Sequence, residues 1–162
     1  MKELILVRHG KSSWDYDVQD IDRPLKERGV RDAHRVAQAA CAEVKDVQAV
    51  FSSPANRALH TCMILMREVG IPFEKLTVSR DLYDFSGSAV RSYVHGLDNS
   101  LDKVVLFGHN HALTHLVNDW GSKYVDNVPT SGLVYLTFEV DRWEAAAFGT
   151  TKLMFFPRDL RS

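Results

Sequence analysis

The chain has 162 residues, of which 45% are hydrophobic and 25% charged, a composition typical of one globular domain with a sizeable buried core. Its 20 Lys and Arg residues nearly balance 21 Asp and Glu residues, so the net charge of -1 excludes a broad electrostatic affinity for nucleic acid or an anionic membrane surface. No apolar run approaches the roughly 18 residues of a membrane-spanning helix. We therefore expect one domain over residues 1–162, with no nucleic-acid partner and no membrane partner.

The two cysteines indicate a cellular compartment. Cys41 and Cys62 lie on helix-like patterns and lack a paired spacing, so we expect them to be small buried side chains in a reducing compartment. The apolar run after Met1, Lys2 and Glu3 is too short for the core of a signal peptide. A cytoplasmic location is the resulting expectation. Nothing in the sequence determines the oligomeric state, for which a monomer is the default.

Short, wholly apolar runs predict the strands. Residues 4–7, 47–51 and 104–107 are such runs, and a further short strand is expected at residues 76–78. Runs of this kind are typical of parallel strands that are covered on both faces.

Helical spacing of apolar residues fills the intervals between these runs. It predicts helices over residues 30–44, 59–69, 88–95 and 110–120. Strands that alternate with helices indicate an α/β fold, here three α/β/α layers around a mostly parallel sheet.

The last thirty residues follow a different pattern. Residues 132–140 are rich in branched and aromatic side chains, and Asp141 and Arg142 could form a turn after them. Because residues 143–148 alternate in part, we expect an antiparallel edge hairpin there. The apolar residues 153–156 are expected to pack as a separate final segment.

Polar side chains follow three of the predicted strands, at the point where each strand ends. Arg8 and His9 follow the first strand, Arg57 comes shortly after the second, and His109 follows a later one. Ligands of open α/β sheets bind at this edge, and two guanidinium forks suit the oxygens of a phosphate. The pattern predicts a phosphate site that contains a histidine nucleophile.

The start of the second helix supports this interpretation. Ser53 is a candidate N-cap and Pro54 a candidate first helical residue, which would place a helix N-terminus near the bound anion.

The motifs resemble the histidine phosphatase superfamily, which is phosphoglycerate mutase-like, and within it the compact branch typified by the phosphohistidine phosphatase SixA. The resemblance covers essentially the whole chain, in the right order. It is carried by Leu6-Val7-Arg8-His9-Gly10-Lys11-Ser12-Ser13-Trp14, Asp22-Arg23-Pro24-Leu25, Glu27-Arg28-Gly29, Ser52-Ser53-Pro54-Ala55-Asn56-Arg57-Ala58 with Thr61, Leu82-Tyr83-Asp84 and Gly108-His109-Asn110.

The resemblance implies a role for each of four residues. His9 would take the phosphoryl group to form a phosphohistidine intermediate, Arg8 and Arg57 would bind the phosphoryl oxygens, and His109 would be a second histidine beside the transferred group. The family reaction needs no metal and no cofactor. His9 must attack as neutral imidazole, and neighbouring guanidiniums disfavour its protonation.

The proton donor leaves two interpretations open. Asp84 is the nearest match to the carboxylate that protonates the leaving group in much of the superfamily, but it is also typical of a loop Asp that hydrogen-bonds its own backbone. Arg23 likewise either lines the mouth of the pocket or pairs with Asp20 or Asp22.

A second group of residues could instead form a metal site. His111, His115 and Asp119 share one helical face, and imidazole with carboxylate at this spacing can bind zinc. No general-base pattern accompanies them, so we expect no metal.

The spacing of the elements also bears on the substrate. About 34 residues separate the second helix from the strand at residue 104, which leaves little chain for a lid and predicts an open site. An open site suits a phosphorylated protein side chain, a phosphohistidine above all. Three alternatives are kept: a broad phosphatase of sugar phosphates and nucleotides, a catalytically silent phosphate-binding module, and a metallohydrolase.

Overall fold

A mixed sheet of six strands forms the centre of the structure, a computed structural model that describes residues 1–161. The strand order is β3-β2-β4-β1-β5-β6. The first four positions of this order are parallel, and β5 and β6 add an antiparallel edge. The strands are β1 (Lys2–Arg8), β2 (Ala49–Ser52), β3 (Leu76–Val78), β4 (Lys103–Gly108), β5 (Leu133–Phe138) and β6 (Thr150–Phe155).

Five helices cover the two faces of this sheet, and the four predicted ones are confirmed with small shifts of their ends. The helices are α1 (Glu27–Val44), α2 (Asn56–Val69), α3 (Ser88–His95), α4 (Ala112–Trp120) and a short α5 (Pro157–Leu160). No segment between α2 and β4 forms a lid within the described residues, since a 3-10 turn, β3, a second 3-10 turn and α3 occupy that interval.

Alternating side chains of β1 divide the core into two layers. Ile5 and Val7 pack with apolar residues of α1 and α2, whereas Leu4 and Leu6 pack with those of α3 and α4. Because successive side chains of a strand point to opposite faces, a wholly apolar strand needs helices on both sides. The three-layer α/β/α architecture is therefore confirmed.

The predicted hairpin is wrong in its second strand. Residues 143–148 do not form a strand: Trp143–Ala145 is a turn of 3-10 helix, and the strand is β6, which contains most of the segment that was expected to pack separately. Trp143 and Ala146 are both buried, and their spacing of three is that of a helical turn. Partial alternation over so short a stretch does not distinguish the two structures.

Of the two cysteines that were expected to be buried, only one is. Cys62 is buried with a free thiol, and burial raises its pKa to about 12, whereas Cys41 is half-buried on α1. Within residues 1–161 there is no helix of the length and apolarity needed to cross a membrane. Ser162, the last residue of the predicted domain, lies outside the described residues.

Candidate active site

The parallel pairing of β1, β4 and β2 brings the predicted polar residues to one edge of the sheet. Arg8 is in register with Gly108, and the His9 amide donates to the Gly108 carbonyl at 3.1 Å. The imidazole rings of His9 and His109 consequently lie 5.2 Å apart between centroids. Beyond β2, the Ser53 amide donates to the Phe107 carbonyl at 3.1 Å, which places Ser53 beside His109.

His9 is held as a neutral imidazole with a defined tautomer. Its Nδ1 lies 2.7 Å from the Gly10 carbonyl oxygen, which can only accept, so Nδ1 carries the proton and Nε2 the lone pair. Burial lowers the pKa of His9 to about 3, and the positive charges of Arg57 and Arg8 act in the same direction. The guanidiniums disfavour protonation of His9 as the sequence suggested, but burial is the larger cause. A ring in this state is competent as a nucleophile at neutral pH.

The loop after His9 is fixed against two helices. The Gly10 amide donates to the Thr61 hydroxyl of α2 at 2.9 Å, and that hydroxyl donates to the Arg57 carbonyl at 2.8 Å. In α1, a Cβ added to Gly29 would lie 2.3 Å from the Lys11 carbonyl oxygen, so the loop and the helix approach too closely for any other residue. These contacts hold the Gly10 carbonyl against the His9 ring.

Arg57 and Arg8 present their guanidiniums to the same cavity as His9. Arg57 lies in the first turn of α2 and is 3% exposed, and it donates to the backbone carbonyl of Asp20 at 2.6 Å and to its carboxylate at 2.9 Å. Arg8 donates from Nη1 to the Val128 carbonyl at 2.9 Å. Burial and the charge of Arg57 lower the pKa of Arg8. Two neighbouring cations, one buried and one half-buried, favour an anion between them.

Asp20, which the sequence suggested only as a partner of Arg23, connects three side chains beside the cavity. Its carboxylate accepts hydrogen bonds from Arg57, from the Tyr83 hydroxyl and from Arg23, the last at 3.2 Å. Although burial raises the pKa of Asp20, the bonds from Tyr83 and Arg57 outweigh it and lower the pKa to about 2. Arg23 does both things expected of it, since it pairs with Asp20 and lines the cavity. No local signal in the sequence indicates this network.

The prediction that Ser53 caps α2 is wrong. The helix begins at Asn56 with Ala55 as its N-cap residue, so Pro54 lies outside it. The Ser53 hydroxyl accepts from the Ala55 amide at 3.1 Å and forms a 2.8 Å hydrogen bond with His109 Nε2. The bond to the Ser53 hydroxyl orients the His109 ring. The N-cap position of α2 is occupied by Ala55. Burial, followed by the charge of Arg57, lowers the pKa of His109 to about 3.

The carboxylate of Asp84 faces the start of α3. It accepts hydrogen bonds from the backbone amides of Gly87, Ala89 and Val90 at 3.0 to 3.1 Å, and from both the amide and the hydroxyl of Ser86. Burial raises its pKa, but these backbone bonds prevail and the pKa is lowered. These contacts are those of a loop aspartate that hydrogen-bonds its own backbone, which was the alternative to a proton donor.

Three buried polar atoms in the described part of the chain have no hydrogen-bond partner, and all three surround His9. They are Arg8 Nε, His109 Nδ1 and Ser131 Oγ. Ser131 donates its amide to the His9 carbonyl at 3.0 Å and adopts a left-handed backbone conformation with φ of 62°. Unsatisfied polar atoms and local strain concentrate at functional sites. Sequence reasoning missed Ser131, because neither signal is visible in a pattern of residues.

The cavity at this edge has a volume of about 260 Å³. Two larger surface cavities, of about 380 and 430 Å³, are not lined by any histidine. Basic and aromatic side chains dominate the lining of the smaller cavity, which comprises Arg8, His9, Lys11, Ser12, Trp14, Asp20, Arg23, Arg57, Phe85 and Thr130.

The candidate metal ligands His111, His115 and Asp119 do not form a ligand cluster. Arg91 bridges to the Asp119 carboxylate at 2.8 Å, and its guanidinium lies 3.5 Å from His115 Nε2. A fixed positive charge against both side chains disfavours a cation there. Among residues 1–161 there is no group of three or more His, Cys, Asp or Glu side chains that could hold a metal ion.

A family model for the histidine phosphatase superfamily (branch 1) matches residues 4–91, a little over half of the chain. The chain belongs to this superfamily. A 2,3-bisphosphoglycerate-dependent phosphoglycerate mutase of Azorhizobium caulinodans is 30% identical over 94 residues, which are 52% of this chain and 45% of that protein. The match to another curated relative, a protein of Arabidopsis thaliana, covers 32% of that protein, so the chain spans less than half the length of these two relatives.

Solved histidine phosphatase structures share the fold over nearly the full chain. The protein histidine phosphatase SixA, in a complex with tungstate, superposes with a TM-score of 0.82 at 22% identity and covers 98% of this chain and 99% of that one. A mycobacterial glucosyl-3-phosphoglycerate phosphatase superposes with a TM-score of 0.67 at 15% identity over 94% of this chain and 98% of that one. The compact, phosphoglycerate mutase-like fold expected from the sequence is thus confirmed.

Proposed function

We propose that this histidine phosphatase family member hydrolyses phosphomonoesters or phosphoramidates through a phosphohistidine on His9, with a phosphorylated protein side chain as substrate and phosphohistidine foremost. One observation carries the proposal. His9, its Nδ1 proton bound by the Gly10 carbonyl, shares a cavity with the guanidiniums of Arg8 and Arg57. A neutral imidazole beside two fixed cations is the arrangement that phosphoryl transfer to nitrogen requires.

The reaction divides into two displacements. In the first, the lone pair of His9 Nε2 attacks phosphorus, the bond from phosphorus to the leaving oxygen or nitrogen breaks, and the leaving group takes a proton from solvent. The Nδ1–H bond to the Gly10 carbonyl stabilises the positive charge that the ring acquires. In the second, a water oxygen attacks phosphorus, the bond to Nε2 breaks, and inorganic phosphate leaves His9 neutral again.

The guanidiniums act on the charge of the transferred group. Negative charge spreads over the equatorial oxygens of the phosphoryl group during transfer, and preorganised donors at those oxygens lower the barrier. Arg57 is held by Asp20, and Arg8 by the Val128 carbonyl, so neither side chain needs to reorganise. His109, oriented by Ser53, is the second histidine beside the transferred group.

The role of Asp84 as proton donor for esters stays a prediction. A carboxylate that accepts several backbone N–H bonds resists protonation, and the contacts of Asp84 favour a positioning role at the start of α3. A phosphohistidine places the smallest demand on such a donor, because imidazole is a far better leaving group than an alkoxide.

The size of the cavity supports a side-chain substrate. At about 260 Å³ it is smaller than the roughly 300–1,000 Å³ of pockets that enclose a drug-sized ligand, and no lid covers it in the described residues. A phosphorylated side chain on a protein surface needs only this much depth. A broad small-molecule phosphatase is the second candidate, since a glucosyl-3-phosphoglycerate phosphatase has the same fold.

The free thiols support a cytoplasmic location, because reducing compartments keep cysteines unpaired. A monomer is proposed as the working state, and sedimentation at two protein concentrations tests it.

Phosphoenzyme trapping tests the proposed function. During turnover of a panel of phosphohistidine protein, phosphoserine and phosphotyrosine peptides, sugar phosphates and nucleotides, acid-labile and base-stable phosphate should be trapped on the parent. His9→Ala should abolish both trapping and turnover, with a loss of about 10⁴-fold or more. His60→Ala, which removes an exposed histidine of α2, should change neither.

Three results would contradict the proposal. Turnover of His9→Ala within tenfold of the parent would exclude His9 as nucleophile. Activity that EDTA abolishes and zinc restores would favour a metallohydrolase. Phosphate binding without turnover of any substrate would favour a silent binding module.

A further inference from the structure

Two large aromatic side chains stand at the mouth of the cavity and are largely exposed. Trp14 is 75% exposed and Phe85 46% exposed, and both line the cavity that holds His9, Arg8 and Arg57. We call this pair the aromatic mouth. Neither residue has a role in binding or transferring the phosphoryl group as described above.

The ring of Trp14 is held in place from one side. The guanidinium of Arg23 lies over the indole at 3.2 Å from the ring centroid. Arg23 is itself buried and donates to the Ser12 hydroxyl at 2.6 Å and to the Ser13 carbonyl at 3.1 Å. The indole is therefore stacked on a fixed cation while most of its surface is left to solvent.

Phe85 is held by the other wall of the site. Its ring lies 5.0 Å from that of His109 and 5.1 Å from that of Tyr83, between centroids. His109 in turn lies 5.2 Å from His9. A short series of packed rings thus leads from the nucleophile to the surface, and its outermost member is half exposed.

The position of these rings decides what they can contact. A phosphoryl group bound by Arg8 and Arg57 for attack by His9 must direct its leaving group away from Nε2, because the attacking and leaving atoms are roughly in line. His9 lies deep in the cavity and is 8% exposed, so the leaving group points outward, to the mouth. A planar group there can stack on preorganised aromatic faces with little loss of conformational entropy.

We propose that Trp14 and Phe85 bind the leaving group and select substrates in which a planar ring is bonded directly to phosphorus, such as the imidazole of phosphohistidine. The inference rests on the proposed function, which supplies the direction in which the leaving group departs. A sugar phosphate lacks a planar ring, and a nucleotide carries its base several bonds from phosphorus. Neither substrate would place a planar ring against the aromatic mouth.

Binding of non-hydrolysable phosphonates tests the inference without turnover. Phenylphosphonate, cyclohexylphosphonate and methylphosphonate share one anionic group and differ in the attached group. We expect the parent to bind phenylphosphonate about tenfold more tightly than the other two, by the usual strength of aromatic stacking. Trp14→Leu and Phe85→Leu should each remove most of this preference and leave the affinity for methylphosphonate within twofold.

Tyr124→Leu is the matched control, since Tyr124 is 78% exposed and lines a different cavity. It should keep the preference of the parent. Trp14→Phe should restore most of what Trp14→Leu loses. Equal binding of phenyl and cyclohexyl phosphonates by the parent would overturn the inference, as would variants that weaken all three ligands equally.

Turnover of two phosphoramidates separates the two proposals. N-phosphoimidazole and phosphoramidate both contain a P–N bond, and the first alone carries a ring. In Trp14→Leu and Phe85→Leu, kcat/KM should fall about tenfold for N-phosphoimidazole and less than twofold for phosphoramidate. If the parent cleaves both and the variants do not discriminate, the inference fails and the proposed function stands. If the parent binds phenylphosphonate selectively but cleaves neither compound, the proposed function fails instead.

Discussion

Each end of β1 carries a cation that is removed at least in part from solvent, since Lys2 is buried and Arg8 half-buried, and the two cations differ in their hydrogen bonds. At the amino end, Lys2 is 1% exposed, and its ammonium donates to the carbonyls of Asn99 and Leu101 and to the Asp102 carboxylate at 2.7 to 2.9 Å. At the carboxyl end, Arg8 donates one hydrogen bond, from Nη1 to the Val128 carbonyl, and its buried Nε has no partner in the described residues. The Lys2 ammonium has three protons and three acceptors, so nothing is left for a ligand.

This difference shows which feature marks a binding site. A cation withdrawn from solvent, fully or in part, occurs at both ends of the strand, so its presence does not identify a site. Among residues 1–161, the buried side-chain atoms that lack a hydrogen-bond partner belong to three residues near His9, namely Arg8, His109 and Ser131. We therefore propose a structural role for the amino end and a functional role for the carboxyl end, and four measurements test this assignment.

Replacement of Arg57 should have the largest effect. Arg57→Ala should remove about 2–4 kcal/mol of transition-state stabilisation, and Arg57→Lys should recover only part of it, because an ammonium cannot reproduce the planar fork. The measurement is kcat/KM with a phosphohistidine substrate. Equal activity of the Lys variant and the parent would mean that Arg57 acts as a point charge and not as a fork.

Replacement of Lys2 should affect stability and not catalysis. Lys2→Met leaves the Asn99 carbonyl without its donor, whereas the Leu101 carbonyl keeps the indole of Trp143, so we expect the free energy of unfolding to fall by about 1–3 kcal/mol. Denaturant titration measures this, and kcat/KM of the folded protein should not change. Lys45→Met, at an exposed position after α1, is the control and should leave both quantities unchanged. Loss of kcat/KM in Lys2→Met would break the assignment of the amino end as structural.

The buried histidines should make the carboxyl end sensitive to acid. The folded pKa of His9 is about 3 against 6.5 for an unperturbed histidine, so the unfolded chain binds more protons between these values. The free energy of unfolding should therefore fall as the pH decreases from about 6.5 towards 3. At pH 5 the loss should be roughly 2 kcal/mol smaller in His9→Asn than in the parent.

Denaturant titrations at pH 7 and pH 5 measure this difference. His111→Asn, which replaces an exposed histidine, should keep the acid sensitivity of the parent. An unchanged pH dependence in His9→Asn would show that His9 is not held neutral by burial.

Asp84 should show the smallest effect. As the acceptor for the first amides of α3, it should contribute about 1 kcal/mol of stability that Asp84→Asn loses. Hydrolysis of a sugar phosphate and of a phosphohistidine should slow to the same small extent. A loss of about 10²–10⁴-fold confined to esters would instead establish Asp84 as the general acid.

Much of the fold followed from local pattern. The apolar runs that became β1, β2 and β4 were long enough and apolar enough to be recognised, and the helix over residues 88–95 has the predicted ends. The hairpin failed because its second strand is specified by pairing with β5, and not by alternation within itself. Burial of Trp143 against Leu101, whose carbonyl accepts from the indole at 2.7 Å, involves residues 42 apart that no local window contains.

The sequence by itself determined the family and identified four candidate site residues, because the ends of parallel strands meet at one edge and Arg8, His9, Arg57 and His109 each lie near such an end. Only the tertiary structure decided the state of those residues. The Gly10 carbonyl that sets the His9 tautomer, the Asp20 carboxylate on Arg57 and the unpaired hydroxyl of Ser131 all depend on distances between remote segments. Residue types determine which chemistry is available, whereas burial and hydrogen-bond partners determine protonation and orientation, and these exist only once the chain has folded.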